Sequence, residues 1–148
     1  MFKVVIDTNL LIDGSVDDYN YGNRIVDAVI EGKVSAFANV PTLRENQLIS
    51  DLKIKDAEYR KKLREFFGKI HRVDSAGIKL DLVEDPEDNK LIESAVAAKA
   101  DYLLSSDRHL LRLGQYEGIK ILSPEAFWAF YQEEGGAAWK QWLAQFVK

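Results

Sequence analysis

Short apolar, β-branched runs alternate with stretches of helical periodicity along most of this chain. Phe2–Ile6 is a compact run that stops at Asp7 and reads as a buried strand. Similar runs recur at Val34–Ala38, Ile70–Val73, Tyr102–Ser105 and Ile119–Leu122, and Lys79–Val83 reads as an extended continuation of the third. Between them, Gly22–Glu31 places Ile25, Val26, Val29 and Ile30 on one helical face, and Gly32 stops it. Pro41 opens a helix whose apolar positions are Leu43, Leu48, Ile49 and Leu52, with Glu45 in its first turn. Asp56–Lys69 carries a stripe of Tyr59, Leu63, Phe66 and Phe67. Asp85-Pro86 starts another helix with Leu91, Ile92, Ala95, Val96 and Ala98 facing inward, closed by Ala100-Asp101. A short helix follows Asp107 through Leu110, Leu111 and Leu113, and Ser123-Pro124-Glu125 caps a last one through Phe127, Phe130 and Tyr131. Asp13–Asn23, rich in Asp, Asn, Gly and Tyr, reads as a loop.

Strands that alternate with helices predict an α/β fold: one central parallel β-sheet flanked by helices on both faces. The expected division is a single domain over residues 1–134 and an aromatic helical tail over 135–148. In that tail Trp139, Trp142 and Phe146 form one stripe, fitted either to packing on its own domain or to docking a partner. In open parallel sheets ligands bind beyond the carboxyl ends of the strands, where both Asp7 and Asp107 fall.

Composition narrows the class. The chain has 148 residues, 47% hydrophobic and 11% aromatic, which suits one folded domain with a sizeable core. It has no cysteine, which excludes disulfides and thiolate metal sites and suits a cytoplasmic setting. The N-terminal apolar run is too short for a signal peptide or a membrane span. The formal charge of −4 conceals an asymmetry: Lys53–Arg72 holds eight Lys/Arg against three Asp/Glu, a net +5 that leaves −9 for the rest. Such a basic segment beside an acidic site suits a phosphodiester substrate, although a solvated helix face has the same composition.

Four acids supply the chemistry: Asp7 in Val4-Val5-Ile6-Asp7-Thr8-Asn9, Glu45 in Pro41-Thr42-Leu43-Arg44-Glu45, Asp88 in Asp85-Pro86-Glu87-Asp88-Asn89, and Asp107 in Ser105-Ser106-Asp107. Each has a structural explanation by itself. Asp88 and Asp107 stand at helix starts, where a cap contributes about 1 kcal/mol; Asp7 could cap a turn and Glu45 could serve the helix dipole. Convergent carboxylates, however, repel one another without a cation, and oxygen donors without Cys or His favour Mg²⁺ or Mn²⁺ over zinc. His71 and His109 read as surface or packing residues, which disfavours a two-histidine mechanism.

These four segments, with Ala100-Asp101-Tyr102-Leu103-Leu104-Ser105-Ser106-Asp107-Arg108-His109 and Gly118–Phe127, resemble the PIN-domain nucleases, most closely the toxin components of prokaryotic toxin–antitoxin pairs. The resemblance extends from residue 3 to about residue 131. It implies a metal-dependent ribonuclease with Asp7, Glu45, Asp88 and Asp107 as catalytic and metal-binding acids and Asp85 as an outer acid. Ser105 stands where the family often has Thr, and Ser106 where it usually has Gly.

The expected mechanism has one or two Mg²⁺ or Mn²⁺ ions activating water for in-line attack on RNA, with 5′-phosphate and 3′-hydroxyl products. Asn9 and Ser105 would hydrogen-bond behind the acids, and Lys55, Arg60, Lys61 and Arg64 would steer single-stranded RNA. The expected partners are RNA, a cognate antitoxin and a second copy of the chain. Competing readings are a PIN-like module that binds RNA or a partner without cutting, a structure-selective DNA nuclease, and a phosphate-accepting receiver domain. The DNA nuclease would want long clamping insertions, and the receiver an acidic pair after the first strand.

Overall fold

The computed structural model describes residues 1–17 and 19–134, so the aromatic stripe of Trp139, Trp142 and Phe146 lies outside the described residues. The strands are β1 (Lys3–Ile6), β2 (Ser35–Asn39), β3 (His71–Val73), β4 (Tyr102–Leu104), β5 (Gln115–Tyr116) and β6 (Ile119–Leu122). The helices are α1 (Thr8–Asp13), α2 (Tyr21–Ile30), α3 (Val40–Lys53), α4 (Ala57–Lys69), α5 (Pro86–Ala98), α6 (Arg108–Leu113) and α7 (Pro124–Glu134).

The six strands form one sheet in the order β3-β2-β1-β4-β6-β5, parallel except for the β5–β6 pair. Helices cover both faces, as the alternation of the strands requires. Val4 and Ile6 point into a core with Leu11 of α1, Ile25 of α2, Leu63 and Phe66 of α4 and Phe127 of α7. Val5 points the other way, into a core with Ile92 and Ala95 of α5 and Leu110 of α6. The sheet therefore needs apolar residues at consecutive positions, which is why its strands read as unbroken apolar runs.

Strand order reverses between β1 and β4. From β1 the chain steps out to β2 and β3, then returns to place β4 on the other side. That reversal opens a crevice at the carboxyl ends of β1 and β4. Val4 pairs with Tyr102 and Ile6 with Leu104, so Asp7 and Ser105 leave the sheet side by side.

Several expectations are corrected. Thr8–Asp13, read without a helix, is α1, and the loop before α2 ends at its N-cap Asn20. Lys79–Val83 is not a strand. It is held by side chains of α5: Leu80 N donates to Glu93, and Leu82 N and Val83 N donate to Asn89 Oδ1. α3 begins at Val40, with Asn39 as its cap, so Glu45 lies in the second turn, not the first. Leu48 and Leu52 are exposed at 61% and 75%, while Asn46 and Ser50 are buried; α3 turns a polar stripe inward. β5 also escaped the pattern. It joins β6 through Glu117 and Gly118, both at positive φ, as in a tight two-residue hairpin.

Candidate active site

The site is built by three helix starts that converge on the crevice. Asp7 is the N-cap of α1, and its Oδ1 accepts from Asn9 N at 3.2 Å. Asp107 caps α6 through His109 N and Leu110 N, and Asp85 caps α5 through Glu87 N at 2.9 Å. A cap holds a carboxylate at a fixed place on the backbone, so these three acids are positioned by the way the helices begin. Asp88 is not a cap, contrary to expectation; it is the third residue of α5 and lies in its first turn.

Asp7, Glu45, Asp85, Glu87, Asp88 and Asp107 all line one cleft of about 200 Å³. The four expected acids are thus brought together, with Asp85 beside them. Thr8, Asn9, Asn46 and Lys53 complete the polar wall, and Thr8 Oγ1 donates to Asn46 Oδ1. Glu87 and Lys53 are cleft residues that sequence reasoning missed. Asn46 left one signal: a polar residue one turn after Leu43 on the inward side of α3.

Ser105 organises the centre. It is fully buried, its hydroxyl donates to Asp7 Oδ2 at 2.9 Å, and the same oxygen accepts from Asp107 N at 2.9 Å. One hydroxyl therefore fixes the free oxygen of one acid and the backbone of another. Asn9, expected beside it, is exposed at the rim and meets Asp7 through its backbone amide.

The electrostatics are those of acids brought together with Lys53 as the one basic residue in the cleft lining among the described residues. Burial pushes the Asp7 carboxyl up; the Ser105 and Asn9 hydrogen bonds oppose this, and the Asp107 and Asp13 charges add to it. Asp88 is pushed up from 3.8 to about 6, first by burial and then by the charges of Asp107, Asp85 and Asp7, with His109 opposing. Asp88 is 7% exposed, and its Oδ2 is buried with no hydrogen-bond partner among the described residues. A buried carboxylate oxygen left unpaired is costly, so Asp88 has a price in stability and no structural duty that offsets it.

The donor set fits a hard divalent cation: carboxylate oxygens on three sides, one of them unpaired, and no sulfur. Among the described residues no three acids are gathered closely enough to hold one ion as they stand. Asp7, Asp85 and Asp107 are each tied to a helix start by capping bonds, and like charges held near one another repel.

The basic residues divide differently. Lys55 and Lys61 are exposed, and Arg60 and Arg64 line a separate cavity between α3 and α4. His71 stacks on Phe37 at the exposed edge of β3, and His109 is exposed at the start of α6. No described helix is long and apolar enough to cross a membrane.

No curated protein and no solved structure gives a match to this chain. The family model described as PIN domain matches residues 3–109, ending short of the residue 131 to which the sequence resemblance extends. That match takes in β1, β4, all four acids and the cap of α6. It supports a nuclease-type, hydrolytic function at the level of the family. By its sheet, its crevice and this match, the chain belongs to the PIN domain family.

Proposed function

We propose that this chain is a metal-dependent endoribonuclease that cleaves single-stranded RNA, acting as the toxin of a toxin–antitoxin pair. The observation that carries the metal-dependent reading is Asp88. One of its carboxylate oxygens is buried and unpaired, and its pKa is raised beside Asp107, Asp85 and Asp7, an arrangement that costs stability and is relieved by a cation. Asp7, Asp88 and Asp107, with Glu45 from α3, would hold Mg²⁺ or Mn²⁺. When bound, such an ion supplies charge neutralisation at a phosphate and a lowered pKa for water.

The chain's own residues do the rest. The Ser105 hydroxyl keeps Asp7 Oδ2 aimed while Asp7 Oδ1 is held by the start of α1, so this carboxylate has little freedom to turn away. Asp107 is fixed by its bond to the same hydroxyl and by capping α6. Glu45 is exposed on the second turn of α3, across the cleft, where it can accept a proton from water or orient it toward the phosphorus. Lys53 on the same wall offers a cation to the phosphate. Attack by water with departure of the 3′-oxygen, which takes up a proton as it leaves, would put the phosphate on the 5′ end of one product and a 3′-hydroxyl on the other.

The toxin assignment rests on the sequence resemblance. It adds an antitoxin as partner, a basic side chain of which would complement the acid cleft, and a second copy of the chain as a further partner. A second reading draws on the spread of the acids: a PIN-like module that binds RNA without cutting it.

The deciding experiment is cleavage of labelled single-stranded RNA by the purified chain with Mn²⁺, Mg²⁺ or EDTA, alongside Asp7→Asn. Cutting that needs metal and is lost in Asp7→Asn, with 5′-phosphate products, is expected. Metal binding without cutting of any RNA favours the binding module, and no metal binding at all refutes the acid-site reading.

A further inference from the structure

The cavity between α3 and α4 lies apart from the acid cleft. Glu45, Asn46, Ile49 and Lys53 of α3 line the cleft, whereas Gln47, Ser50 and Asp51 line this second cavity, on a different side of the same helix. Its volume is about 370 Å³. Arg60 and Arg64, one turn apart on α4, and Arg72 of β3 bring three guanidiniums to it, against the single carboxylate of Asp51. Among the described residues none of these arginines is in an ion pair; the salt bridges formed there use Lys33, Lys62 and Lys90.

Two buried polar atoms of residues that line this cavity also have no partner among the described residues: Arg60 Nε and Ser50 Oγ. Ser50 is 2% exposed, so bulk water does not satisfy it. Orphaned buried donors are rare because each costs about 1–3 kcal/mol. Two of them in side chains that line a cavity with a surplus of two positive charges point to an absent anion. Guanidinium pairs match the paired oxygens of phosphate, and a serine hydroxyl supplies a further donor. Leu63 and Phe67 form an apolar floor, and the volume falls in the range of small-ligand sites, with room for more than a bare ion.

We propose that this cavity is a phosphate subsite that takes the phosphate group of a nucleotide unit, with Arg60, Arg64 and Ser50 as donors and Arg72 as a further cation. It gives the strand of the nuclease reading a second contact, but its phosphate chemistry stands without that reading.

The test uses the full chain in EDTA, so that anions cannot bind through metal. Inorganic phosphate, adenosine 5′-monophosphate and a short single-stranded RNA are titrated in turn, followed by the amide resonances of Ser50, Asp51, Arg60 and Arg64. At least one of the three should shift these resonances saturably. Its affinity should fall at least about tenfold in Arg64→Gln, whose exposed side chain puts the fold at little risk, and also fall in Ser50→Ala. It should persist in Asp88→Asn. A response to phosphate or the mononucleotide assigns a free nucleotide as source, and a response to RNA alone assigns the strand. No shift with any probe, or equal affinity in Arg64→Gln, overturns the proposal, as does loss of binding in Asp88→Asn. Because the nuclease reading is decided by cleavage and Asp7→Asn, either can fail without the other.

Discussion

Replacing Asp88 by Asn should make the metal-free protein more stable. The carboxyl is raised from 3.8 to about 6 in the folded chain. At about 1.36 kcal/mol per pKa unit, the ionised form costs at most about 3 kcal/mol. The residue is nearly covered, but its carboxylate faces an open cleft whose water screens it, so about 1–2 kcal/mol is expected. The pH dependence fixes the sign. The folded chain holds this proton more tightly than the unfolded chain does, so the associated stability is full below about pH 4 and is lost as pH rises through about 6. An Asn has no such titration. Urea denaturation in EDTA at pH 4 and pH 7.5 should therefore give near-equal stabilities at the lower pH and a clear advantage for Asp88→Asn at the higher. Saturating Mn²⁺ should shrink or reverse that advantage, since a ligand of the folded state stabilises only the chain that binds it. A variant less stable than the parent at pH 7.5 in EDTA, or one with the same gain at both pH values, would refute the electrostatic reasoning.

Other substitutions probe the supports of the site. Ser105→Ala removes a fully buried hydroxyl that joins Asp7 to the Asp107 backbone, and should cost about 1–3 kcal/mol by urea denaturation while weakening Mn²⁺ binding. Ser105→Thr keeps the hydroxyl and should retain more of the metal affinity. Asn89→Ala cuts the bonds that Leu82 N, Val83 N and Val83 O make to this side chain; a loss of about 2–3 kcal/mol is expected, with faster hydrogen exchange at the Leu82 and Val83 amides. Gly22→Ala puts a Cβ 2.5 Å from Leu10 O, so α1 and α2 must move apart, at a cost of about 1–3 kcal/mol in thermal or urea unfolding.

The parallel strands were readable because both faces of the sheet are covered, which makes Val4-Val5-Ile6 and Leu103-Leu104 apolar without interruption. α4 was readable from Tyr59, Leu63, Phe66 and Phe67 because all four are buried on one face. α1 was hidden because its six residues are too few to show a helical period, with Leu10 and Leu11 its buried positions and the Asp7 cap its one start signal. α3 misled for a different reason. Its apolar period predicts Leu48 and Leu52 inside, yet the helix walls two polar cavities and buries Asn46 and Ser50 instead. The β5 hairpin turns on Glu117-Gly118, a pair without the Asn or Asp that usually marks such a turn. For the site, Asp7 and Asp107 followed from strand ends. The resemblance set Asp88 apart from Asp85 as the metal-binding acid, but sequence could not tell which of them caps the helix, because both stand in one acidic helix start.

Asp88 and its neighbour Asn89 carry opposite signs in the folding free energy. Asn89 latches the 82–83 segment to α5, so almost any replacement loosens the chain. Asp88 brings a buried, unpaired oxygen and a raised pKa to the same turn, so its replacement by Asn is expected to tighten it. Two adjacent codons would then answer to different selective pressures. In a lineage released from the need to act on its substrate, drift would favour loss of Asp88 while holding Asn89 in place. On the proposed function, a folded and inactive descendant would lie a single nucleotide change away, since an Asp codon becomes an Asn codon by altering its first base.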